Sequence, residues 1–310
     1  MLSINTNMMA LNTARNLGDA YGALATSTRR LSSGLRIGMA ADDAAGLAAR
    51  ELMRADIAAL NQGIRNANDG ISLIQTADGA LAVIDEKLIR MKELAQQAAT
   101  GTYNSDQRLI IDSEYQAMAS EITRIANATK FNGIYLLNGN LSGDTATGNA
   151  NNPHNWNSEF NGSGLQSTGP MKIHFGPMNN SAEDYYYIQI GNATASALGV
   201  GNSAKKGSDA YSISTQAGAQ AALEALETAI ISKDQIRAQL GGLQNRLENT
   251  ITNLQIQAEN LQAAESRISD VDVAHEMTQF VRNQILTQAA VAMLSQANNL
   301  PRMAMQLIGG

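Results

Sequence analysis

Apolar residues return along the first third of the chain at helical spacing. Ile57, Leu60, Ile64, Ala67, Ile71 and Ile74 step 3-4-3-4-3, and the stripe continues through Ala77, Leu81, Ile84, Leu88, Met91, Ala95 and Ala98. This row predicts one helix over 43–99 that buries a stripe against partner helices. Its single break, from Ile74 to Ala77, is a three-residue stammer, which overwinds a coil without ending it. At 1.5 Å per residue such a helix would be about 85 Å long. Asp42 or Asp43 can cap its start, and Gly101-Thr102-Tyr103-Asn104-Ser105 ends it in a turn. A second helix over about 105–128 carries Leu109, Ile110, Tyr115, Met118, Ile122 and Ile125 inward. Near the other end, Leu240, Leu243, Leu247, Thr250, Leu254, Gln257, Leu261, Ala264 and Ile268 hold the same alternation. Neither flank can bury its stripe alone, so the two are expected to pack together as a bundle of long helices.

The extreme ends are lighter. Residues 1–36 carry Ile4, Met8, Leu11, Leu17, Leu24, Leu31 and Leu35 among asparagines and alanines. Residues 273–310 carry Val273, Met277, Phe280, Val281, Ile285, Leu286, Met293, Leu294, Leu300 and Leu307 amid Gln and Asn. Charges are few there, so i,i+4 pairs lend little support and tertiary packing must hold these helices. Two readings fit: an ordinary terminal helix pair docked on the bundle, or segments that stay mobile until partner subunits cover them, for which their Ala/Gln/Asn-rich faces suit close packing against identical neighbours.

Composition marks where the helices stop. Residues 1–152 lack proline, whereas Pro153, Pro170 and Pro177 share one window. Nine of the thirteen aromatics lie between Phe131 and Tyr211, and half of the 26 glycines lie between Gly133 and Gly218. Proline breaks helices and aromatics favour strands, so the middle reads as turns and strands. Met171–Phe175 and Tyr185–Ile190 read as two strands joined by a Pro177–Asp184 turn. The fold class is therefore mainly α: a long antiparallel helical bundle or coiled coil built from both chain ends, with a small β-hairpin in the middle. By residue, 1–42 and 269–310 are expected to form a terminal helix pair, and 43–138, 171–212 and 213–268 the bundle around a surface loop at 139–170.

Charge and residue chemistry narrow the function. The 310 residues are 16% charged, below the globular norm of about 25%. The net charge is −6 and no Lys/Arg block exceeds two residues, which removes the usual drive toward nucleic acid or anionic membranes. No apolar run approaches a membrane span, and Met1-Leu2-Ser3-Ile4-Asn5 lacks the pattern of a cleaved signal. Cysteine is absent, excluding disulfides, thiolate metal sites and cysteine nucleophiles. His275-Glu276-Met277-Thr278-Gln279 begins like a zinc-protease helix, but the second imidazole that must share the face is replaced by Gln279. Asp42-Asp43 and Asp85-Glu86 read as caps and solvated helix faces. No catalytic residues, cofactor or metal are expected; the chemistry is association.

The sequence resembles bacterial flagellin in its short form. The resemblance is carried by Ser3-Ile4-Asn5-Thr6-Asn7, by Arg29-Arg30-Leu31-Ser32-Ser33-Gly34-Leu35-Arg36 and by Ala41-Asp42-Asp43-Ala44-Ala45-Gly46-Leu47-Ala48. Thr129-Lys130-Phe131-Asn132-Gly133, Glu259-Asn260-Leu261, Ala264 through Asp272, and Gln288 through Pro301 extend it. It covers about 1–138 and 171–310.

The resemblance implies a flagellar filament subunit: an extracellular homopolymer for motility, exported unfolded through a type III apparatus and ordering its ends on polymerisation. The terminal pair, 1–42 and 269–310, would be its inner, filament-core pair, with Leu17, Leu24, Leu31, Phe280, Ile285, Leu294 and Leu300 as the assembly residues. It further implies an export chaperone at about 273–310, and filament cap and hook-junction proteins. In a vertebrate host it implies Toll-like receptor 5, contacting Arg90, Glu93, Leu94 and Glu114. Ser142, Thr145, Thr147, Ser163, Ser167 and Thr168 of the middle loop are candidates for glycosylation. The competing readings are the hook–filament junction protein of the same apparatus and a type III-exported coiled-coil adhesin.

Overall fold

The computed structural model describes residues 7–142, 169–180, 183–201 and 212–308, with backbone alone at 300–302 and 304–308. The chain divides into two compact units: Met1–Ile57 with Ala258–Gly310, and Ala58–Gln257. The first unit joins the two ends of the chain; the second holds everything between.

In the first unit, α1 (Met8–Ser33) and α6 (Val273–Ile308) lie side by side. Their pairing is antiparallel: Asn7 Nδ2 donates to the Ala297 carbonyl at 2.8 Å, and Arg30 faces Glu276 at 3.7 Å. Asn7 also caps α1 by accepting from the Ala10 amide, and Gly34 ends it in the left-handed region at φ 72°. Asp272 caps α6 through the amides of Ala274 and His275. Between the helices, Leu35 and Asp270 form an antiparallel bridge, closed by Arg36 N–H to the Ser269 carbonyl (2.7 Å) and Val271 N–H to the Gly34 carbonyl (3.0 Å).

The start of α2 (Ala44–Ala99) shows which aspartate caps it. Asp43 accepts from the amides of Ala45 and Gly46, at 3.0 and 2.9 Å. Asp42 instead organises the preceding loop, accepting from Gly38 and Met39 and pairing with Arg29 at 3.0 Å. Burial alone would raise the Asp42 carboxyl. The two backbone amides and the charges of Arg29 and Arg30 outweigh it and hold the group below the usual carboxylate range.

The second unit is built on the long α2 stripe, which is buried or half-buried from Leu60 to Ala98 and runs through the stammer unbroken. It packs into one core with α3 (Ser105–Ala128) and α5 (Gln216–Ser269). Arg108 closes the end of α2 by donating to the Ala98 and Thr100 carbonyls, and Asn104 with Gln107 forms a capping box for α3. The core side of α3 is Ile111, Tyr115, Ala119, Ile122 and Ala126. Leu109 and Ile110, expected inward, are exposed. Likewise the α5 seam passes from Leu254 to Ala258, and Gln257 faces solvent.

Two hairpins complete this unit. Strands β1 (Lys130–Phe131) and β2 (Ile134–Tyr135) turn through Asn132 and Gly133, whose φ values of 47° and 82° are both positive, as a two-residue type I′ turn requires. Strands β3 (Met171–His174) and β4 (Tyr185–Ile188) pair antiparallel in the register Met171↔Ile188 to His174↔Tyr185. This second hairpin lies on α2 because Gly63 lets it: a Cβ there would sit 1.9 Å from the Phe175 carbonyl oxygen. Asn66 then donates to the His174 carbonyl at 2.8 Å. The short α4 (Ala195–Leu198) leads back toward α5, and Asp112 fixes the return by accepting from Ile213 N–H at 2.8 Å. Tyr115 is fully buried, and desolvation pushes its phenol up to about 12.

Candidate functional site

Two surfaces carry the sequence-predicted residues. The first is the α1–α6 hairpin. Leu17, Leu24 and Leu31, spaced by seven on α1, are half-buried, as are Phe280 and Leu294 on α6. These five face the seam between the helices. Ile285 does not: it is 60% exposed, and only the backbone of Leu300 is described. Ile285 belongs to a second row that sequence periodicity did not separate from the seam. Val273, Met277, Val281, Leu286, Val291 and Met293 share its exposure on α6. On α1, Met8, Met9, Leu11 and Tyr21 are exposed as well. A helix apolar on several sides has more than one partner, and this outer row is the unpartnered part. Exposed apolar side chains along a paired helix mark a candidate contact surface.

The second surface lies on α2 and α3. Arg90 donates to Glu114 through Nε (3.0 Å) and Nη2 (2.8 Å), and to Glu93 through Nη1 (2.9 Å). All three side chains are exposed, so this fork is a surface cluster that holds one geometry. Hydrogen bonds to Glu114, then Glu93, raise the guanidinium pKa further. Leu94, expected beside them as a receptor contact, is 2% exposed and packs in the core. The α2 stripe is wide enough there to take Leu94 together with Met91 and Ala95. The exposed apolar neighbours are instead Ile89 and, one turn before Glu114, Ile110.

Of the glycosylation candidates, Ser142 is half-buried and donates to the Gly139 carbonyl at 2.6 Å. Thr145, Thr147, Ser163, Ser167 and Thr168 lie outside the described residues. So do Trp156 and Phe160, the large apolar residues of the same loop. Among the described residues no three His, Asp or Glu side chains gather as metal ligands, and no helix is long and apolar enough to cross a membrane.

The geometry defines a mainly helical protein in which the two terminal segments fold into one unit with apolar side chains left uncovered. Residues 4–142 match the family model for the bacterial flagellin N-terminal helical region, and residues 223–308 match that for the C-terminal helical region. The chain belongs to the bacterial flagellin family. It is 42% identical over 311 residues to flagellin of Bacillus subtilis, covering 99% of this chain and 100% of that relative. It is 38% identical over 305 residues to the flagellar filament 33 kDa core protein of Treponema phagedenis, covering 98% and 99%. In fold it is similar to the solved structure of a candidate flagellar hook-associated protein of Vibrio parahaemolyticus, with a TM-score of 0.52 at 15% identity over 74% of this chain and all of that one.

Proposed function

We propose that this chain is a structural subunit that self-assembles into the bacterial flagellar filament. One observation carries the reading: relatives matched over nearly the whole chain are flagellins and filament core proteins, and the unit built from both ends leaves an apolar row for copies of itself. Contacts that repeat head to tail without closing propagate a filament. The identity over full length favours the filament subunit above the hook–filament junction protein, because the likeness to the hook-associated structure at 15% identity concerns fold alone. The test is to seed a purified solution with short filaments and follow growth by electron microscopy. Growth of filaments is the expected result, and seeds that stay short would overturn the reading.

The finer reading follows. The subunit works outside the cell, exported unfolded. Residues 1–42 and 269–310 form the filament's inner helix pair and order on polymerisation. That reading is supported by their sparse charge and by the exposure of apolar residues along α1 and α6. Ordering these 84 residues at roughly 1 kcal/mol each opposes premature polymerisation. An export chaperone covers about 273–310, and cap and hook-junction proteins meet the filament ends. Arg90, Glu93 and Glu114, with Ile89 and Ile110 in place of Leu94, form the surface for Toll-like receptor 5. Arg90→Ala should lower receptor signalling by free subunits about tenfold or more, as loss of a bidentate arginine at an interface does; a reporter-cell dose curve equal to the parent's would refute this.

A further inference from the structure

On α5, Arg246, Asn249, Asn253 and Gln257 recur at intervals of three and four, so they stand on one face of the helix. That face meets the turn between β3 and β4 across a cavity of about 570 Å³. Every residue lining it lies between Phe175 and Gln257, inside the second unit, so the cavity does not depend on the order of the chain ends. Its walls are braced by the chain itself. The Asp184 carboxylate is buried and accepts from Asn180 N–H at 2.6 Å, and the Asp184 carbonyl accepts from the amides of Phe175 and Gly176 at 2.9 Å each. The Tyr186 ring packs on Phe175 with centroids 4.7 Å apart, and the Arg246 guanidinium sits 4.1 Å from the Tyr186 centroid. By contrast, the amides of Asn249, Asn253 and Gln257 make no hydrogen bond among the described residues, and neither does the Arg246 guanidinium.

We propose that this cavity binds a saccharide carrying acetamido groups. Each primary amide offers two donors and an acceptor oxygen, and the guanidinium offers five donors. Sugar hydroxyls donate and accept at once, so they suit such a wall. An acetamido group adds an N–H, a carbonyl and a methyl, and the cavity answers each of them. Side-chain amide oxygens accept the N–H, the amide N–H groups and Arg246 donate to the carbonyl, and Leu254 with Met178 gives apolar surface to the methyl. The volume falls in the range of small-molecule sites and has room for roughly two sugar rings. Glu183 and Asp184 line the same cavity as the single cation Arg246, which disfavours a phosphate or sulfate. The mainly polar side chains disfavour an apolar ligand.

The test is saturation-transfer NMR on the full-length subunit, titrated with N,N′-diacetylchitobiose. Cellobiose, which has the same linked rings with hydroxyls in place of acetamido groups, is titrated beside it. The acetylated sugar should bind with a dissociation constant at or below about 1 mM, and cellobiose about tenfold more weakly. The triple variant N249A/N253A/Q257A should lose about tenfold or more in affinity, as expected when hydrogen bonds to the ligand are removed. Its circular dichroism should match the parent's, because alanine suits an exposed helix position. Gln244→Ala is on the same helix but bonded to Glu248 and outside the cavity, and should bind like the parent. No binding of the acetylated sugar at about 10 mM would overturn the proposal. So would cellobiose bound as tightly, or a triple variant that binds like the parent. If the triple variant loses helical signal, Asn253→Ala alone decides: weakened binding supports the site and parent-like binding overturns it. No arm of this titration uses filament growth, so its failure is distinct from failure of the filament reading.

Discussion

Asn7 makes two bonds that meet two backbone deficits. Its Oδ1 accepts from Ala10 at the start of α1, where helical amides lack partners. Its Nδ2 reaches the Ala297 carbonyl, which is free because the residue four further on, Pro301, has no N–H to donate while α6 continues through it. Glycines show equally local causes with opposite signs. Gly63→Ala would drive a Cβ into the Phe175 carbonyl, so it should destabilise the chain by about 1–3 kcal/mol in urea unfolding. Gly79→Ala on the same helix meets nothing within 4 Å and should stabilise by about 0.5–1 kcal/mol. Asp42 sets a pH dependence. Its folded carboxyl lies below the ordinary range, so the loop it organises is fully stabilised above about pH 3.9 and loosens as pH falls below that value. Protection of the Gly38 and Met39 amides, measured as exchange relative to the unstructured rate at the same pH, should therefore fall below about pH 3.9 and be flat above it.

Between elements, charge fixes how the long helices meet. Lys233 on α5 is 2% exposed and reaches Asp85 of α2 at 2.6 Å and its neighbour Asp234 at 2.7 Å. One turn on, Arg237 pairs with Asp78 at 2.7 Å. A buried ammonium needs its partner, so Asp85→Ala should cost about 3 kcal/mol. Asp234→Ala removes a carboxylate that is 60% exposed and should cost within about 1 kcal/mol. Thermal unfolding by circular dichroism separates the two; equal losses would refute a cross-helix role for Asp85. These pairs were not legible in the sequence, where Asp85 read as a solvated face, because nothing in α2 alone points to a lysine 148 residues away. What was legible is what repeats often enough to fix a phase: thirteen stripe positions place α2. In α3 the run Leu109-Ile110-Ile111 fits three phases, and the one that buries Tyr115, Ile122 and Ala126 also buries Ile111. On α5 the strict alternation drifts by one residue at Gln257, so Ala258 takes the buried place. The proposed receptor surface was read from sequence without its helix phase. The Arg90 fork came from a motif, whereas the burial of Leu94 and the exposure of Ile110 depend on helix phase.

At the scale of the whole molecule, both ends of the chain are needed for one unit, while Ala58–Gln257 contains all the residues of the other. Removing 273–310 takes α6 from α1 and leaves the core of the second unit intact. The truncated chain should keep the helical signal of α2, α3 and α5 and the parent's main thermal transition, yet fail to grow on filament seeds. Truncation alone would not tell a missing helix pair from a missing contact, and Ile285 makes that distinction. Its side chain is 60% exposed in the subunit, so Ile285→Ser should change subunit stability by no more than about 0.5 kcal/mol. If neighbouring copies cover that side chain, each contact loses roughly 2 kcal/mol of apolar burial and the critical concentration rises more than tenfold. A variant that polymerises like the parent would mean that the outer row of α6 stays in water in the filament, and that the self-contacts are made through the seam residues alone.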